Sequence, residues 1–215
     1  KEDNTTLMMV LAVMLSIVLS VALFMVLPVL LMQLLTKVIS NTFTLNLIEG
    51  LVRLAIFIGY VLLATLMLEI KRTFMYHGAE HKTINCLEAG DALTVNNIRK
   101  HSRFHKRCGT SFIFVVIIVS IIVFMFISVD NSILRIVYRI LLVPVIAGVS
   151  YEFVRFAGKS DSKIMTILSI PGMWVQRLTT KEPDDSMIEV AIASVEGVID
   201  WEEYIKQLNN GELEG

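Results

Sequence analysis

Charged residues are scarce in this 215-residue chain, at 18% of the sequence, whereas an ordinary soluble domain has about a quarter. Hydrophobic residues make up 55%, and the mean hydropathy is +0.69. This composition argues against a soluble globular domain and makes the bilayer part of the expected solvent. The formal net charge of -1 conceals an uneven distribution, because basic residues crowd one loop and acidic residues crowd the C-terminal end.

Cysteine is also scarce. The two cysteines, Cys86 and Cys108, lie in or beside the one basic loop, where reduced thiols or metal ligands are favoured over a disulfide. No cleavable signal peptide is apparent, since the first apolar run greatly exceeds the about 7–15 residues of a signal core. The chain begins at Lys1 rather than methionine, which suggests an upstream segment.

Four long apolar runs predict transmembrane helices, because about 20 apolar residues span a bilayer. They cover residues 7–35, 45–70, 111–129 and 133–156. We therefore expect an all-α polytopic membrane protein with four transmembrane helices. Residues 1–158 would form this domain, including a His/Cys loop at 71–110, and residues 159–215 would add an interfacial segment and a C-terminal amphipathic helix.

The distribution of lysine and arginine predicts the orientation. The turn before the second span offers only Lys37, and the turn before the fourth offers Asp130 and Asn131. The loop between the second and third spans, by contrast, carries Lys71, Arg72, Lys82, Arg99, Lys100, Arg103, Lys106 and Arg107. Because basic loops stay inside, the His/Cys loop and both termini are expected on the cytoplasmic side of the membrane.

Charged side chains inside the spans are costly and mark structural or functional contacts. A structural ion-pair network joining the second and fourth spans is the favoured account of Glu49, Arg53, Arg135 and Arg139. Glu152 differs, because it is expected near the cytoplasmic end of the fourth span. It could reach the His/Cys loop as a metal ligand or supporting residue, and an i,i+3 pair with Arg155 is an equal alternative.

All four histidines lie between Tyr76 and Cys108, and this clustering is the main functional signal. His77 and His81 are four residues apart, which on a helix puts both imidazoles on one face, where they can bind one metal ion. With Glu80 they form an H-x-x-E-H pattern, as in inverted zinc peptidases. In those enzymes the histidines hold zinc and the glutamate activates water.

Further ligands are predicted on both sides of a hairpin. If the helix continues beyond His81, Glu88 returns to the face of His77, whereas Cys86 points away from it. A second cluster, formed by His101, His105 and Cys108, has spacings of four and three, so a helical turn would align all three. The predicted zinc site comprises His77, His81, His105 and Cys108, with Cys86, Glu88, His101 and Glu152 as secondary candidates.

The C-terminal region is expected to be amphipathic. Residues 164–178 mix apolar residues with Pro171, Trp174 and Arg177, as is typical of an interfacial segment. Residues 183–186 are then expected to form the start of a helix, with Ser186 and Glu189 in capping-box spacing. Its apolar stripe would comprise Ile188, Ile192, Val195, Ile199 and Leu208. The simplest interpretation is an amphipathic helix docked on the rest of the protein. A more specific interpretation is that its acidic face packs over the basic loop.

Five strings carry a family resemblance, namely HGAEHKTINCLEAG, RFHKRCGTSF, GVSYEFVRFAGK, PGMWVQRLTTKEPDD and IEVAIA. From about Asn46 to Ile192 the sequence resembles the YqhQ family of bacterial membrane proteins, also called DUF1385. The resemblance implies a metal-dependent enzyme but does not indicate its substrate. The family positions are matched by His77, Glu80, His81, Cys86, His105 and Cys108, but not by His101. Family members also share a glycine-rich segment of the GGQAVIEGVMM type, which this sequence does not contain.

The favoured function is zinc-dependent hydrolysis at the cytoplasmic membrane interface, with a lipid-linked or membrane peptide bond as the expected substrate. Zinc would lower the pKa of a bound water toward about 7, and Glu80 would take its proton. The alternative is a non-enzymatic membrane scaffold with a structural zinc site. The expected partners are the lipid bilayer and a membrane-associated substrate or protein, and no nucleic acid is expected.

Overall fold

A computed structural model describes residues 2–35, 39, 41–127, 129, 131–159 and 162–212. Lys37 and Asp130, used to predict the orientation, lie outside the described residues. The described part of the chain is helical and contains no β-strand. Its helices are α1 (Glu2–Val21), α2 (Leu27–Leu35), α3 (Thr42–Ala64), α4 (Leu68–Glu88), α5 (Val95–Ile98), α6 (Gly109–Met125), α7 (Ser132–Lys159), α8 (Lys163–Thr179), α9 (Asp185–Glu196) and α10 (Trp201–Asn209).

Among the described residues, three helical stretches are long and apolar enough to cross a membrane, namely Thr5–Leu35, Thr42–Ala64 and Ile133–Lys159. The apolar helix α6 has 17 residues, so a fourth span remains a prediction. The predicted second span, 45–70, is wrong at its C-terminal end, because α3 stops at Ala64 and α4 begins at Leu68. The Thr65 hydroxyl donates to the Leu62 carbonyl at 2.6 Å, a local bond that competes with continuation of the helix.

The chain divides into two compact units. The first comprises Lys1–Tyr60 and Ile113–Phe153, and the second comprises Val61–Phe112 and Val154–Gly215. The His/Cys loop, which sequence alone grouped with the transmembrane helices, thus shares a unit with the C-terminal segment.

A proline shapes the first unit. Between α1 and α2 the chain makes one turn of π-helix at Ala22–Val26. Pro28 follows it, and because proline has no backbone N–H, the Phe24 carbonyl loses its usual helical donor. The Arg53 Nε donates to this carbonyl at 3.0 Å. The proline thereby creates a binding position for a buried guanidinium.

Glu49 is the centre of a buried ion cluster in the same unit, with 1% of its surface exposed. Its carboxylate accepts two hydrogen bonds from Arg139, including one of 2.9 Å from Nη2. It also accepts one of 3.2 Å from Arg53. Arg135, which sequence grouped with these residues, instead donates to the Val129 carbonyl at 2.7 Å. The predicted network thus contains three of the four charged residues.

The second unit is built around the packing of α4 on α9. Its apolar core includes Ala79, Leu87, Met187 and Ile188. The helix start expected at residues 183–186 is observed, but the capping box at Ser186 and the single continuous helix are wrong. The N-cap is Asp184, whose side chain accepts from the Met187 N–H at 3.0 Å, and the helix is divided into two. The second part, α10, begins after a new N-cap at Asp200, which accepts from the Glu203 N–H.

Contacts to the basic loop come from acidic residues at the start of α9. Asp185 pairs with Arg99, and Glu182 pairs with Lys82 at 2.6 Å. Glu182 also lies 3.7 Å from Arg103. The acidic face of the C-terminal helix was expected to contact the basic loop. The contacts are instead made by acidic residues at the start of α9 and in the segment just before it.

Candidate metal centre

Helix α4 presents His77 and His81 on one face, and their ring centroids lie 4.3 Å apart. The Nδ1 of His77 is 2.9 Å from the Thr179 carbonyl oxygen, and the Nδ1 of His81 is 2.7 Å from that of Arg103. Carbonyl oxygens only accept, so both Nδ1 atoms carry the proton. Each ring is therefore held through Nδ1, and its Nε2 can hydrogen-bond to a neighbouring group or, once deprotonated, bind a metal ion, an arrangement that is common around metal ligands.

Cys108 completes a cluster with the two histidines, and their ligand atoms all lie within 4.8 Å of one another. The Cys108 Sγ is 3.3 Å from the His77 Nε2. In a tetrahedral zinc site, with bonds of about 2.0–2.3 Å, ligand atoms lie about 3.3–3.8 Å apart. The three-ligand cluster of His77, His81 and Cys108 thus has dimensions that a zinc ion would fit with small movements.

Cys108 has the chemistry of a metal ligand. Burial raises the pKa of its thiol, but hydrogen bonds with His77 and His81 outweigh this effect and lower the pKa to about 5. The Thr110 N–H also points at the sulfur, at 3.4 Å. A thiolate is the form that binds zinc. The pKa of His77 is raised in return, chiefly by its hydrogen bond with Cys108.

Two chemistries use such a cluster, metal binding and nucleophilic attack by the thiolate. A Cys–His dyad needs one histidine and an accessible sulfur. Here two histidines converge on one sulfur, each anchored through its other nitrogen. Cys108 is also only 4% exposed. The arrangement therefore fits metal binding better than a thiol nucleophile.

Gly78 explains how the Thr179 carbonyl reaches His77. A Cβ atom at this position would lie 2.0 Å from the Lys181 carbonyl oxygen, so any side chain would push the crossing backbone away. The close approach is reinforced by the Lys181 N–H, which donates to the Phe74 carbonyl at 2.8 Å. The glycine within the H-x-x-E-H motif is thus required for the position of the chain that orients His77.

Gln176 on α8 fastens the loop that precedes Cys108. This residue is fully buried. Its amide accepts from the His105 N–H at 3.0 Å and donates to the His105 carbonyl at 2.7 Å. It also donates to the Ser111 hydroxyl. Sequence reasoning missed Gln176, because a lone glutamine in an amphipathic segment gives no sign of its distant partner.

The structure does not bring His105 into the three-ligand cluster. Its ring centroid is 5.9 Å from that of His81, and its Nε2 is hydrogen-bonded to Glu88 at 3.1 Å. Residues 101–108 do not form the expected helical turn, so the spacing of four and three does not align the side chains. Glu88, a candidate ligand, instead pairs with His105 and with Arg107, the latter at 2.6 Å.

Cys86 and His101 belong to a second group, together with Asp91. His101 is hydrogen-bonded to Asp91 at 2.9 Å. Burial raises the pKa of the Cys86 thiol to about 11, which disfavours the thiolate that a metal requires. Glu152 lies in α7, in the first unit, and belongs to neither group of ligand-type side chains found among the described residues.

A cavity of about 640 Å³ adjoins the three-ligand cluster through His77. It lies between α4 and α9, and Glu80 is exposed to it. Glu80 also contributes to the raised pKa of His77, after the hydrogen bonds with Cys108 and Thr179. A carboxylate therefore lies beside the histidines without belonging to the three-ligand cluster.

These features define a helical protein with three helices of membrane-crossing length and a buried His–His–Cys cluster. The chain belongs to the family described as "Protein of unknown function (DUF1385)", whose model matches residues 1–201. The uncharacterized protein YqhQ of Bacillus subtilis (strain 168) is 42% identical over 161 residues, which cover 74% of this chain and 51% of that protein. The chain thus spans about half the length of this relative. No solved structure matches it.

Proposed function

We propose that this protein is a zinc-dependent hydrolase that works at the cytoplasmic face of the membrane. His77, His81 and Cys108 hold the ion. Three protein ligands leave one position of a tetrahedral zinc open, as in catalytic rather than structural sites. The observation that supports this most is the anchoring of both Nδ1 atoms by backbone carbonyls, since it serves no purpose unless both Nε2 atoms share a ligand.

Glu80 is the general base of the proposed reaction. It is exposed to the cavity next to His77, so it could accept a proton from a water that the zinc ion would activate. The oxygen of this water bonds to the acyl carbon of the substrate while the bond to the leaving group breaks. The proton that Glu80 has taken then passes to the leaving group, which restores the carboxylate.

Zinc content tests the site directly. Purified wild-type protein is expected to contain one zinc per chain. His81→Ala and Cys108→Ala should each reduce the content to below about a tenth, because the binding free energy depends on the full ligand set. Elemental analysis gives the number. His101→Ala is the matched control, and both it and His105→Ala should retain zinc. Full zinc in Cys108→Ala would contradict the three-ligand site, and loss in His105→Ala would restore the four-ligand prediction.

The membrane arrangement is part of the proposal. We take α6 as a fourth span, which places the segment before it and both termini in the cytoplasm. Helix α8 has an exposed apolar face, whose residues recur at helical spacing: Ile164, Ile167, Leu168 and Trp174. Arg177 follows them near the end of the helix. Such a helix can lie in the membrane interface with this face in the lipid. Its C-terminal residue, Thr179, is the one that orients His77.

Labelling of an engineered cysteine tests this topology. Asn96 is exposed, whereas Cys86 and Cys108 are 0% and 4% exposed, so Asn96→Cys should react with little background. In intact cells an impermeant maleimide should leave this cysteine unlabelled, and permeabilisation should expose it. Labelling of intact cells to the same extent as permeabilised cells would overturn the topology.

A further inference from the structure

We propose that the cavity between α4 and α9 holds the hydrocarbon chain of a neutral acyl lipid. This inference rests on the proposed function, because it names the substrate class of the same site. The cavity, of about 640 Å³, is within the size range of small-molecule sites, about 300–1,000 Å³. Its lining includes His77 and Glu80, so a bound molecule places some of its atoms beside the zinc ligands.

The walls of the cavity are aliphatic. Ile84 and Leu87 line it from α4, Val190 and Val195 from α9, and Ile199 from the segment that follows. A hydrocarbon chain gains free energy by leaving water for such a surface, at about 25 cal/mol per Å² of apolar area. Most of the lining is apolar, so an occupant must be apolar along most of its length, with its polar group beside His77 and Glu80.

Hydrogen-bonding groups in the walls are already used. The hydroxyl of Thr83 donates to the Ala79 carbonyl at 2.9 Å, and that of Ser194 donates to the Val190 carbonyl at 2.8 Å. The walls themselves are helices, whose backbone groups bond to one another. An extended peptide would bury amide groups without partners here, at a cost of about 1–3 kcal/mol each. A hydrocarbon chain has no such groups.

Charge determines which acyl compound fits. Among the described residues no lysine or arginine lines the cavity, and Glu80 is the charged residue that does. A free fatty acid or a phosphate head group would therefore meet the like charge of Glu80, with the proposed zinc ion, rather than a lysine or arginine, as its counter-ion. A neutral ester avoids this repulsion and presents a carbonyl for hydrolysis. A partner helix would offer no reactive bond, because its peptide groups are held in internal hydrogen bonds.

Photo-crosslinking tests the proposal without requiring turnover. The probe is a monoacylglycerol whose chain carries a diazirine near its methyl end. It is mixed into phosphatidylcholine nanodiscs that contain the full chain as purified. After illumination, mass spectrometry of the peptides is expected to find the label on 190–199 and on 84–87. Ser194→Trp fills the cavity and should reduce this labelling about tenfold, equivalent to about 1.4 kcal/mol of binding.

Ala193→Trp is the matched control, because Ala193 is exposed on the same helix but does not line the cavity. It should label as the wild type does, and equal zinc content would show that both variants are folded. The proposal is overturned if Ser194→Trp leaves cavity labelling unchanged, or if label appears only on the apolar spans. The cavity would then be a surface for a protein helix. Failure of the hydrolase proposal would give a different result, in which the protein contains no zinc but the cavity is still labelled.

Discussion

Glu80→Gln is expected to reduce hydrolysis by about 10² or more while zinc content stays at the wild-type value. Glutamine keeps the size of the side chain and most of its hydrogen bonds, but it cannot accept the proton from water. Glu80 does not belong to the three-ligand cluster, so the ion should remain bound. The measurement is the rate of hydrolysis of a chromogenic neutral acyl ester by the same preparations that are used for elemental analysis.

Glu69→Gln is the matched control for Glu80→Gln. Glu69 lies in the first turn of α4, is exposed and does not line the cavity, so the same change of charge should leave the rate unaltered. Equal rates in Glu80→Gln and the wild type would reject the hydrolase. The zinc ion would then be a structural clamp, and a membrane scaffold would be the better account.

Glu49→Gln should destabilise the protein by about 3–5 kcal/mol, the usual cost of breaking a buried ion pair by removing one partner. Two guanidinium groups, those of Arg53 and Arg139, would share a site without a counter-ion. For a chain of this length the loss corresponds to a fall in melting temperature of roughly 6–20 °C. Thermal unfolding of the purified protein in nanodiscs, followed by circular dichroism, measures it.

The double variant Glu49→Gln/Arg139→Gln separates charge from packing in the ion cluster. It removes one positive and one negative charge together, so it should recover part of the lost melting temperature. Glu202→Gln, a change of the same kind at an exposed position in α10, is the control and should have no effect. A melting temperature for Glu49→Gln equal to that of the wild type would contradict the importance of this cluster.

The local part of the candidate site could be predicted from sequence. The spacing of His77 and His81 determines their common face wherever a helix forms, and Gly90, which has a φ of 75°, marks the helix end, because glycine readily adopts this conformation. The family resemblance was also confirmed, and the match extends from the expected region to residues 1–201. These features depend on neighbouring residues, whose pattern is visible in the chain.

The other features of the candidate site could not be predicted, because they depend on contacts between segments that are distant in sequence. The carbonyls of Arg103 and Thr179 orient the histidines, and a backbone oxygen leaves no signature in a sequence. His105 was assigned as a ligand by assuming a helical turn, but the loop before Cys108 is fastened by Gln176 instead. The division of the C-terminal helix did have a signal, since Gly197 is followed by Asp200 in N-cap spacing with Glu203.

The separation of the ligands from the groups that orient them affects how the protein matures. A ribosome that has completed Cys108 has already supplied all three ligands. The carbonyl that orients His77 belongs to Thr179, and Gln176 is also synthesised late. A nascent or truncated chain that ends before Thr179 would therefore contain the ligands in an unfixed state. If zinc binds as proposed, its acquisition would be tied to completion of the second unit, and zinc occupancy would report how much of the protein in a cell has matured.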